Sequence, residues 1–437
     1  MLPSQNTFYT EACASTLAQR FQQVRAQTER LIEPLSAEDC QLQSMPDASP
    51  TKWHLAHLTW FFETFVLERF EERFQPFDAS FRRLFNSYYN GVGDKYPRPQ
   101  RGLISRPSLQ DVLAYRAQVN QRVTEVLSTT RDAQAPELAQ LIELGLHHEQ
   151  QHQELLLTDI QHALSFNPQS PAYARRWPLT RTAPQPVRWH TYDAGLVQHG
   201  FDAALDGDFA FDNETPRHPV YVAPFELASR LVTNGEMMDF MADQGYARPE
   251  LWLSMGWDWV QAGAHRMPLY WQGDAGDYRH FTLQGLQDVD TNTPVCHLSY
   301  FEADAFARWS GVRLPTEFEW ELAARQLPAS SAKSGNFVET AAYHPLPQQQ
   351  ASPTAPSQMM GDVWEWTQSN YNPYPGYQPW EGLVGEYNGK FMCNQFVLRG
   401  GSCATPQSHI RTSYRNFFPP DAQWQFSGLR LARDAQK

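Results

Sequence analysis

The sequence predicts an α+β fold in which an N-terminal four-helix bundle precedes a domain of short strands and turns. Up to about Leu164, apolar residues recur at intervals of three and four, which is the period of amphipathic helices. From Trp189 onward, short strand-like runs are separated by turns. We therefore predict a helical domain over 1–166, a linker over 167–187 and a second domain over 188–437.

Four stretches of the N-terminal third carry an apolar stripe along one helical face. They are LAQRFQQVRAQTERLIEPL, WHLAHLTWFFETFVLERF, LQDVLAYRAQVNQRVTEVL and ELAQLIELGLHHEQQHQELLLTDIQHAL. Four such stretches are typical of a four-helix bundle. The segment between the second and third, FNSYYNGVGDKYPRPQRGLISRPS, is rich in Gly, Pro and Asn. So long a loop in a compact domain is usually functional.

The second domain begins after a proline-rich stretch without apolar periodicity, PQSPAYARRWPLTRTAPQPV, which is typical of a linker. Runs such as HPVYVAPFELASRLV and QFVLRGGSC then predict strands. Helices are predicted at NGEMMDFMADQG and YFEADAFARWSG. The double glycine of RGGS predicts a tight turn, and the tryptophans of GDVWEWT are expected to have structural roles.

Composition and charge exclude several classes of partner. A formal net charge of -13 and the lack of a basic run argue against nucleic acid. The apolar stretches are far shorter than the roughly 20 residues needed to span a bilayer, and the N-terminus lacks the features of a signal peptide. Five widely spaced cysteines make a poor disulfide framework. We expect a soluble, cytoplasmic protein without a membrane partner; its oligomeric state is not predicted.

The HHEQQHQELLL segment has the spacing of a metal-binding helix. His148 and His152 are four residues apart, so both imidazoles can face one ion. His147 faces about 100° away from His148 and is expected either to be structural or to support the ligands without binding the metal. A second predicted helix carries His54 and His57, and spacing alone does not choose between them as the third ligand. Because bundle interiors commonly hold metals, we predict a catalytic metal there.

The identity of the metal is open from the ligands alone. Three neutral imidazoles suit iron(II), copper, nickel or zinc. The letters His148-Glu149-Gln150-Gln151-His152 also fit the HExxH pattern of zinc metalloproteases, in which the glutamate is the general base. Against that alternative, no downstream third ligand of the metzincin type follows.

Separated motifs resemble one family over nearly the whole chain. The N-terminal third looks like a DinB-type four-helix bundle. The second domain looks like the formylglycine-generating-enzyme fold, which is related to C-type lectins. Its markers are PVCHLSYFEADAFARWSGVRLPTEFEWELAAR, GDVWEWTQSNYNPYPGY, VLRGGSCATPQSHIRTSYRNFFPP and FSGLRLAR. Together these segments resemble the ergothioneine-biosynthesis sulfoxide synthases.

The resemblance implies a reaction and a metal site. Members hold iron(II) with one histidine of a WxLAH segment and two of an HEQQH segment, which selects His57, His148 and His152 here. With dioxygen as co-substrate they join the sulfur of cysteine or γ-glutamylcysteine to the imidazole of N-α-trimethylhistidine (hercynine), forming a sulfoxide. Arg98 and Arg101 match the arginines that clamp the carboxylates of the thiol substrate, since guanidinium groups bind carboxylates bidentately.

The resemblance also implies which residues act on the substrates. In one branch a tyrosine just before LRGGS serves as proton donor, but FMCNQFVLRGGS has no tyrosine there. The chain instead resembles the branch with paired tyrosines in the bundle loop, here Tyr88 and Tyr89, and this favours cysteine over γ-glutamylcysteine. The residues expected at hercynine, whose quaternary ammonium suits aromatic faces, are Gln151, Asn416, Phe417 and Phe418.

Other interpretations remain open at this point. A related synthase acting on histidine, as in ovothiol synthesis, or on a selenium substrate would use the same site. A DinB-type metal-dependent thiol transferase would use the bundle alone, and a lectin-like binding module would use only the second domain. The second domain is also expected to be able to bind a calcium or sodium ion, as its relatives do. No ligand residues are assigned to that ion.

Overall fold

The computed structural model describes residues 11–130, 134–175, 182–274, 276–328, 334–349, 352 and 354–435. They divide into two units. The first unit contains the described residues up to Asn167 together with Trp380–Tyr387, and the second contains the others. Residues 176–181 of the predicted linker over 167–187 lie outside the described residues. The predicted boundaries assign Trp380–Tyr387 to the second domain, whereas in the structure this segment belongs to the first unit.

The described part of the first unit is helical. Its helices are α1 (Glu11–Ile32), α2 (Thr51–Phe62), α3 (Glu68–Phe70), α4 (Phe81–Leu84), α5 (Leu109–Thr129) and α6 (Ala135–Ser165). The long helices α1, α2, α5 and α6 coincide with the four predicted stretches, so the predicted bundle is confirmed. Helix α5 begins at a capping box in which Ser108 and Asp111 accept hydrogen bonds from each other's backbone N–H.

Helix α2 is the innermost helix of the bundle. All its residues are buried, and it packs against both α5 and α6. A helix that is largely apolar all round is stable only in such a position. It continues through one π-helical turn, Glu63–Leu67, into α3. π-Helical turns are rare in proteins, and those that occur are often found at functional sites.

The loop between α4 and α5 is ordered by its own hydrogen bonds. The Asn86 side chain accepts from the Tyr89 N–H at 3.1 Å and donates to the carbonyls of Tyr89 and Gly93 at 2.9 and 3.1 Å. Further along, a short 3-10 helix spans Arg98–Leu103. The loop therefore holds its tyrosines and arginines in defined positions.

The second unit combines short strands in small sheets. The strands are β1 (Trp189–Tyr192), β2 (Gly195–His199), β3 (His218–Val222), β4 (Phe225–Ala228), β5 (Trp271–Gln272), β6 (Arg279–Thr282), β7 (Gly285–Asp288), β8 (Trp364–Asn370), β9 (Phe396–Arg399), β10 (Asn416–Phe418), β11 (Ser427–Gly428) and β12 (Ala432–Asp434). Among the described residues the sheet orders are β1-β4-β12, β10-β9-β8-β11, β2-β3 and β5-β6-β7. All pairings are antiparallel except that of β11 with β8.

The helices of the second unit are short. They are α7 (Ala203–Asp206), α8 (Asn234–Ala242), α9 (Ser254–Gly263), α10 (Tyr300–Trp309) and α11 (Glu317–Arg325). Helices α8 and α10 lie where the sequence predicts them. A helical bundle followed by a unit of strands and helices confirms the predicted α+β class. Trp320, Phe225 and Met359 belong to one buried hydrophobic cluster. Both glycines of RGGS have positive φ, and a Cβ on Gly400 would lie 2.6 Å from the Met359 carbonyl oxygen.

Two expectations of absence concern the described residues only. No helix among them is long and apolar enough to cross a bilayer. Cys40, Cys296, Cys393 and Cys403, the cysteines whose side chains are described, form no disulfide.

Candidate metal centre

Three histidines from two bundle helices meet in the interior of the first unit. His57 comes from α2, and His148 and His152 come from successive turns of α6. One ring nitrogen of each lies within 4.8 Å of the others, and all three side chains are buried. The structure thus brings together the three residues that the sequence resemblance selects.

The hydrogen bonds of His57 leave one nitrogen available for a ligand. Its Nδ1 lies 2.7 Å from the Phe85 carbonyl oxygen, which can only accept, so the proton is on Nδ1. Nε2 then carries a lone pair and has no hydrogen-bond partner. Both ring nitrogens of His148 are likewise buried without a partner. Unsatisfied buried nitrogens are costly, and a bound cation would satisfy the lone pair of each ring.

His54 is excluded from the cluster by its own partners. Its Nδ1 lies 2.8 Å from Nδ1 of His152, and its Nε2 lies 3.0 Å from Oδ2 of Asp159. Both ring nitrogens are therefore engaged. This geometry favours His57 over His54 as the third member of the cluster.

The site keeps its imidazoles neutral. Burial, with His148 as a second cause, lowers the pKa of His57 and of His152 well below the ordinary value. Burial lowers the pKa of His148 to about 3. Neutral imidazole is the form that binds metals. The ring of Trp53 stacks on His57 at 4.7 Å and limits its orientation.

Glu149 is held in a buried ion network. Its Oε2 lies 2.7 Å from Nη1 of Arg25, and its Oε1 accepts from Arg116 and from the Thr28 hydroxyl at 2.6 Å each. Both carboxylate oxygens are thus committed to partners on α1 and α5. This arrangement does not support the general-base role that the HExxH spacing suggests.

Two tyrosines of the bundle loop lie beside each other. The rings of Tyr88 and Tyr89 are stacked at 4.6 Å, with their hydroxyl oxygens 3.5 Å apart. Tyr89 is fully buried and lies 5.7 Å from the ring of Trp60, which stacks on His57. Burial and the neighbouring Tyr88 raise the pKa of Tyr89 well above the ordinary value. It is a neutral phenol at physiological pH.

Sequence reasoning missed a third tyrosine. Tyr387 lies in the Trp380–Tyr387 segment of the first unit, with its ring 5.6 Å from that of His148 and 6.3 Å from that of Tyr88. Its hydroxyl donates to Oε1 of Gln151. FMCNQFVLRGGS contains no tyrosine, and Tyr387 lies four residues before the start of that segment.

Glu386 fastens this segment to the tyrosine loop. Its carboxylate accepts hydrogen bonds from the backbone N–H of Asn90 at 3.1 Å and of Gly91 at 2.8 Å. The position of Tyr387 next to Tyr88 therefore depends on contacts between residues about 300 positions apart in the chain.

The two predicted arginines differ in environment. Arg101 is buried, lies 3.4 Å above the ring of Trp53, and donates to the hydroxyls of Ser49 and Ser87 at 2.9 and 3.1 Å. Within the described residues it has no ion-pair partner. Arg98 is exposed and donates to the Asp47 carbonyl. Of these two arginines, only Arg101 is a buried guanidinium, and the charge of Asp159 acts on it without an ion-pair contact.

The three residues predicted from the C-terminal part lie in strand β10 of the second unit. Asn416, Phe417 and Phe418 are all half-buried. Phe417 stacks on Tyr371 at 4.0 Å, and Phe418 lies 5.9 Å from Trp424. Their contact with a substrate stays a prediction.

Comparison with known families agrees with this architecture. Residues 20–156 match the DinB superfamily, and residues 181–435 match the sulfatase-modifying factor enzyme 1-like domain. The second match covers more than half of the chain.

Full-length relatives narrow the family further. The chain is 33% identical to hercynine oxygenase of Mycobacterium tuberculosis over 96% of this chain and 98% of that one. It is 31% identical to hercynine oxygenase of Mycolicibacterium smegmatis over 96% and 99%. It also resembles ergothioneine biosynthesis protein 1 of Schizosaccharomyces pombe, at 27% identity over 52% of this chain and 28% of that one. With this identity over almost its entire length, the chain belongs to the hercynine oxygenase family of enzymes.

Proposed function

We propose that this protein is a non-haem iron(II), dioxygen-dependent sulfoxide synthase that joins hercynine to cysteine in ergothioneine biosynthesis, with γ-glutamylcysteine as the alternative thiol. The observation that carries the proposal is the buried cluster of His57, His148 and His152, in a chain of the hercynine oxygenase family. In the overall reaction the imidazole C–H, the thiol S–H and dioxygen become a C–S(=O) sulfoxide and one water.

The three histidines fit a metal on their own chemistry. Nε2 of His57 and both ring nitrogens of His148 have no hydrogen-bond partner, the pKa of each of the three imidazoles is lowered, and one ring nitrogen of each lies within 4.8 Å of the others. Iron(II) bound there would supply redox chemistry towards dioxygen and open positions for the thiolate. We propose that the bound metal is iron(II) and not another divalent metal.

Arg101 is proposed to bind the carboxylate of the thiol substrate. A buried guanidinium without a carboxylate partner is costly, and a substrate carboxylate would neutralise it. Arg98, which is exposed, is proposed to contribute less. A single buried cation suits cysteine, which has one carboxylate, better than γ-glutamylcysteine, which has two.

Tyr88 and Tyr89 are proposed as the proton donors. The protonated state of Tyr89 suits it to deliver a proton as dioxygen is reduced. Hercynine is proposed to contact Gln151, Asn416, Phe417 and Phe418. The cytoplasmic location and an additional calcium or sodium ion stay predictions.

Oxygen uptake by protein loaded anaerobically with iron(II) tests the function. We expect uptake that requires both hercynine and cysteine, with a product of the mass of hercynyl-cysteine sulfoxide. Parallel reactions with γ-glutamylcysteine and with histidine in place of hercynine define the substrates. A thiol transferase would be active without oxygen. Lack of uptake with every thiol and imidazole pair would contradict the proposal.

A further inference from the structure

A row of three side chains extends from the metal centre into the protein. Nδ1 of His152 lies 2.8 Å from Nδ1 of His54, and Nε2 of His54 lies 3.0 Å from Oδ2 of Asp159. All three are buried, with exposed fractions of 9%, 2% and 6%. His54 belongs to α2 and the other two to α6, so the row joins the helices that carry the histidine cluster.

The carboxylate at the end of the row determines where each proton lies. Oδ2 of Asp159 also accepts the Ser49 N–H at 2.8 Å, so it acts as an acceptor. Nε2 of His54 must then donate, which leaves the lone pair of His54 on Nδ1. That lone pair accepts the Nδ1–H of His152, and the lone pair of His152 is consequently on Nε2.

We propose that Asp159 and His54 are positioning residues that hold His152 in the tautomer and ring orientation needed to bind the metal through Nε2. The inference rests on the proposed function, because it requires the three-histidine metal centre. It explains why α2 carries two histidines one turn apart: His57 is the ligand, and His54 supports a ligand of the other helix. His57 itself is oriented by the Phe85 carbonyl.

An acceptor behind a ligating imidazole strengthens its binding. The N–H that does not face the metal is normally hydrogen-bonded, which fixes the ring and raises the basicity of the ligand. Loss of such a partner typically weakens metal affinity by about 10-fold to 100-fold. Because the present acceptor is itself oriented by a carboxylate, removal of either member is expected to act on His152.

Cobalt(II) binding to the metal-free full-length protein tests the row without requiring turnover. The variants are His54→Phe, His54→Gln and Asp159→Asn. Phenylalanine keeps the volume and aromatic packing of His54 but accepts no hydrogen bond, whereas glutamine can still accept from His152 and donate to Asp159. His162→Gln is the matched control, since His162 lies on α6 about 15 Å along the helix from His152 and contacts Ser44.

We expect His54→Phe and Asp159→Asn to weaken cobalt affinity about tenfold or more and to alter the visible d–d absorption bands. His54→Gln should recover most of the affinity, and His162→Gln should match the native protein. Circular dichroism of the metal-free variants checks their folding. If Asp159→Asn does not fold, the Phe and Gln variants at position 54 still decide.

Two other results separate the failure of this inference from that of the proposed function. Native affinity and spectrum in His54→Phe, with cobalt binding lost in His148→Ala, would overturn the positioning role and leave the metal centre standing. Native cobalt binding in His148→Ala would remove the metal centre, and the positioning role with it.

Discussion

Oε2 of Glu149 lies 2.7 Å from Nη1 of Arg25, and this ion pair is fully buried in the bundle. The ion pair connects Glu149, which follows His148 of the cluster, with helix α1. Together with Arg116, it makes Glu149 part of the scaffold that orients α6.

Replacing Glu149 with glutamine should therefore affect stability first. The change leaves Arg25 buried without its ion-pair partner and leaves Arg116 only its longer contact with Glu29; breaking a buried ion pair typically costs about 3–5 kcal/mol. Urea unfolding of the metal-free protein measures this loss. The control is Glu137→Gln on the same helix, whose exposed ion pair with Arg69 is expected to contribute less than about 1 kcal/mol. Equal stability of the two variants would contradict the assignment.

Acid should destabilise the metal-free protein in two windows. Burial lowers the pKa of His148 to about 3, so between pH 6.5 and 3 only the unfolded chain takes up this proton, and stability falls as pH falls. Burial acts to raise the pKa of Glu149, but Arg116 and Arg25 outweigh it and lower the pKa to about 2. The stability that this carboxylate contributes above pH 4.5 is lost as pH falls towards 2.

The two windows can be separated by mutation. His148→Gln should reduce the slope of unfolding free energy against pH between about pH 6.5 and 4.5, to which His57 and His152 also contribute, whereas Glu149→Gln should leave that slope unchanged. Unfolding free energies from urea titrations at a series of pH values provide the measurement. An unchanged slope in His148→Gln would mean that this histidine is not buried in its neutral form.

Metal content should depend on the cluster histidines and not on their neighbour. We expect about one metal ion per chain in the native protein and loss of the ion in His57→Ala and His148→Ala, because two imidazoles rarely suffice to retain it. His147→Gln, which changes a residue 3.2 Å from Glu143, is the control and should keep its metal. Elemental analysis after chelator treatment and reconstitution checks this.

Arg101 and Arg98 should differ in their effect on the thiol substrate. Arg101→Gln should raise the KM for the thiol by about 10-fold to 100-fold, as expected for loss of a charge-assisted hydrogen bond of about 1.5–3 kcal/mol. Arg98→Gln should have a smaller effect, since that side chain is exposed. The KM for hercynine is the internal control. Equal changes in both KM values would indicate a general effect of the loop.

The three tyrosines should be separable by their products. If Tyr88 or Tyr89 delivers the proton, its change to phenylalanine should lower sulfoxide formation by about a hundredfold or more and divert turnover to disulfide, with thiol binding retained. Tyr387→Phe tests the third phenol, whose hydroxyl contacts Gln151. Product ratios by mass spectrometry decide among them. Native ratios in both loop variants would contradict the assignment to Tyr88 and Tyr89.

Local patterns in the sequence predicted the parts of this protein that depend on neighbouring residues. The period of apolar residues located the four long helices, and the spacing of His148 and His152 placed both on one face of α6. Helices α9 and α11 were not predicted, although they are as long as the predicted helices α8 and α10. The double glycine of RGGS was expected to turn, and both glycines have positive φ.

Tertiary structure decided everything that depends on contacts distant in sequence. Spacing alone does not distinguish His54 from His57, and the family resemblance selects His57 without a physical reason; the contacts with Asp159 and Phe85 provide one. Tyr387 lies beside His148 because the Trp380–Tyr387 segment packs in the first unit, which no local period encodes. Hydrogen bonds and ion pairs between such remote groups follow from how the helices pack, and periodicity determines only which face of each helix is buried.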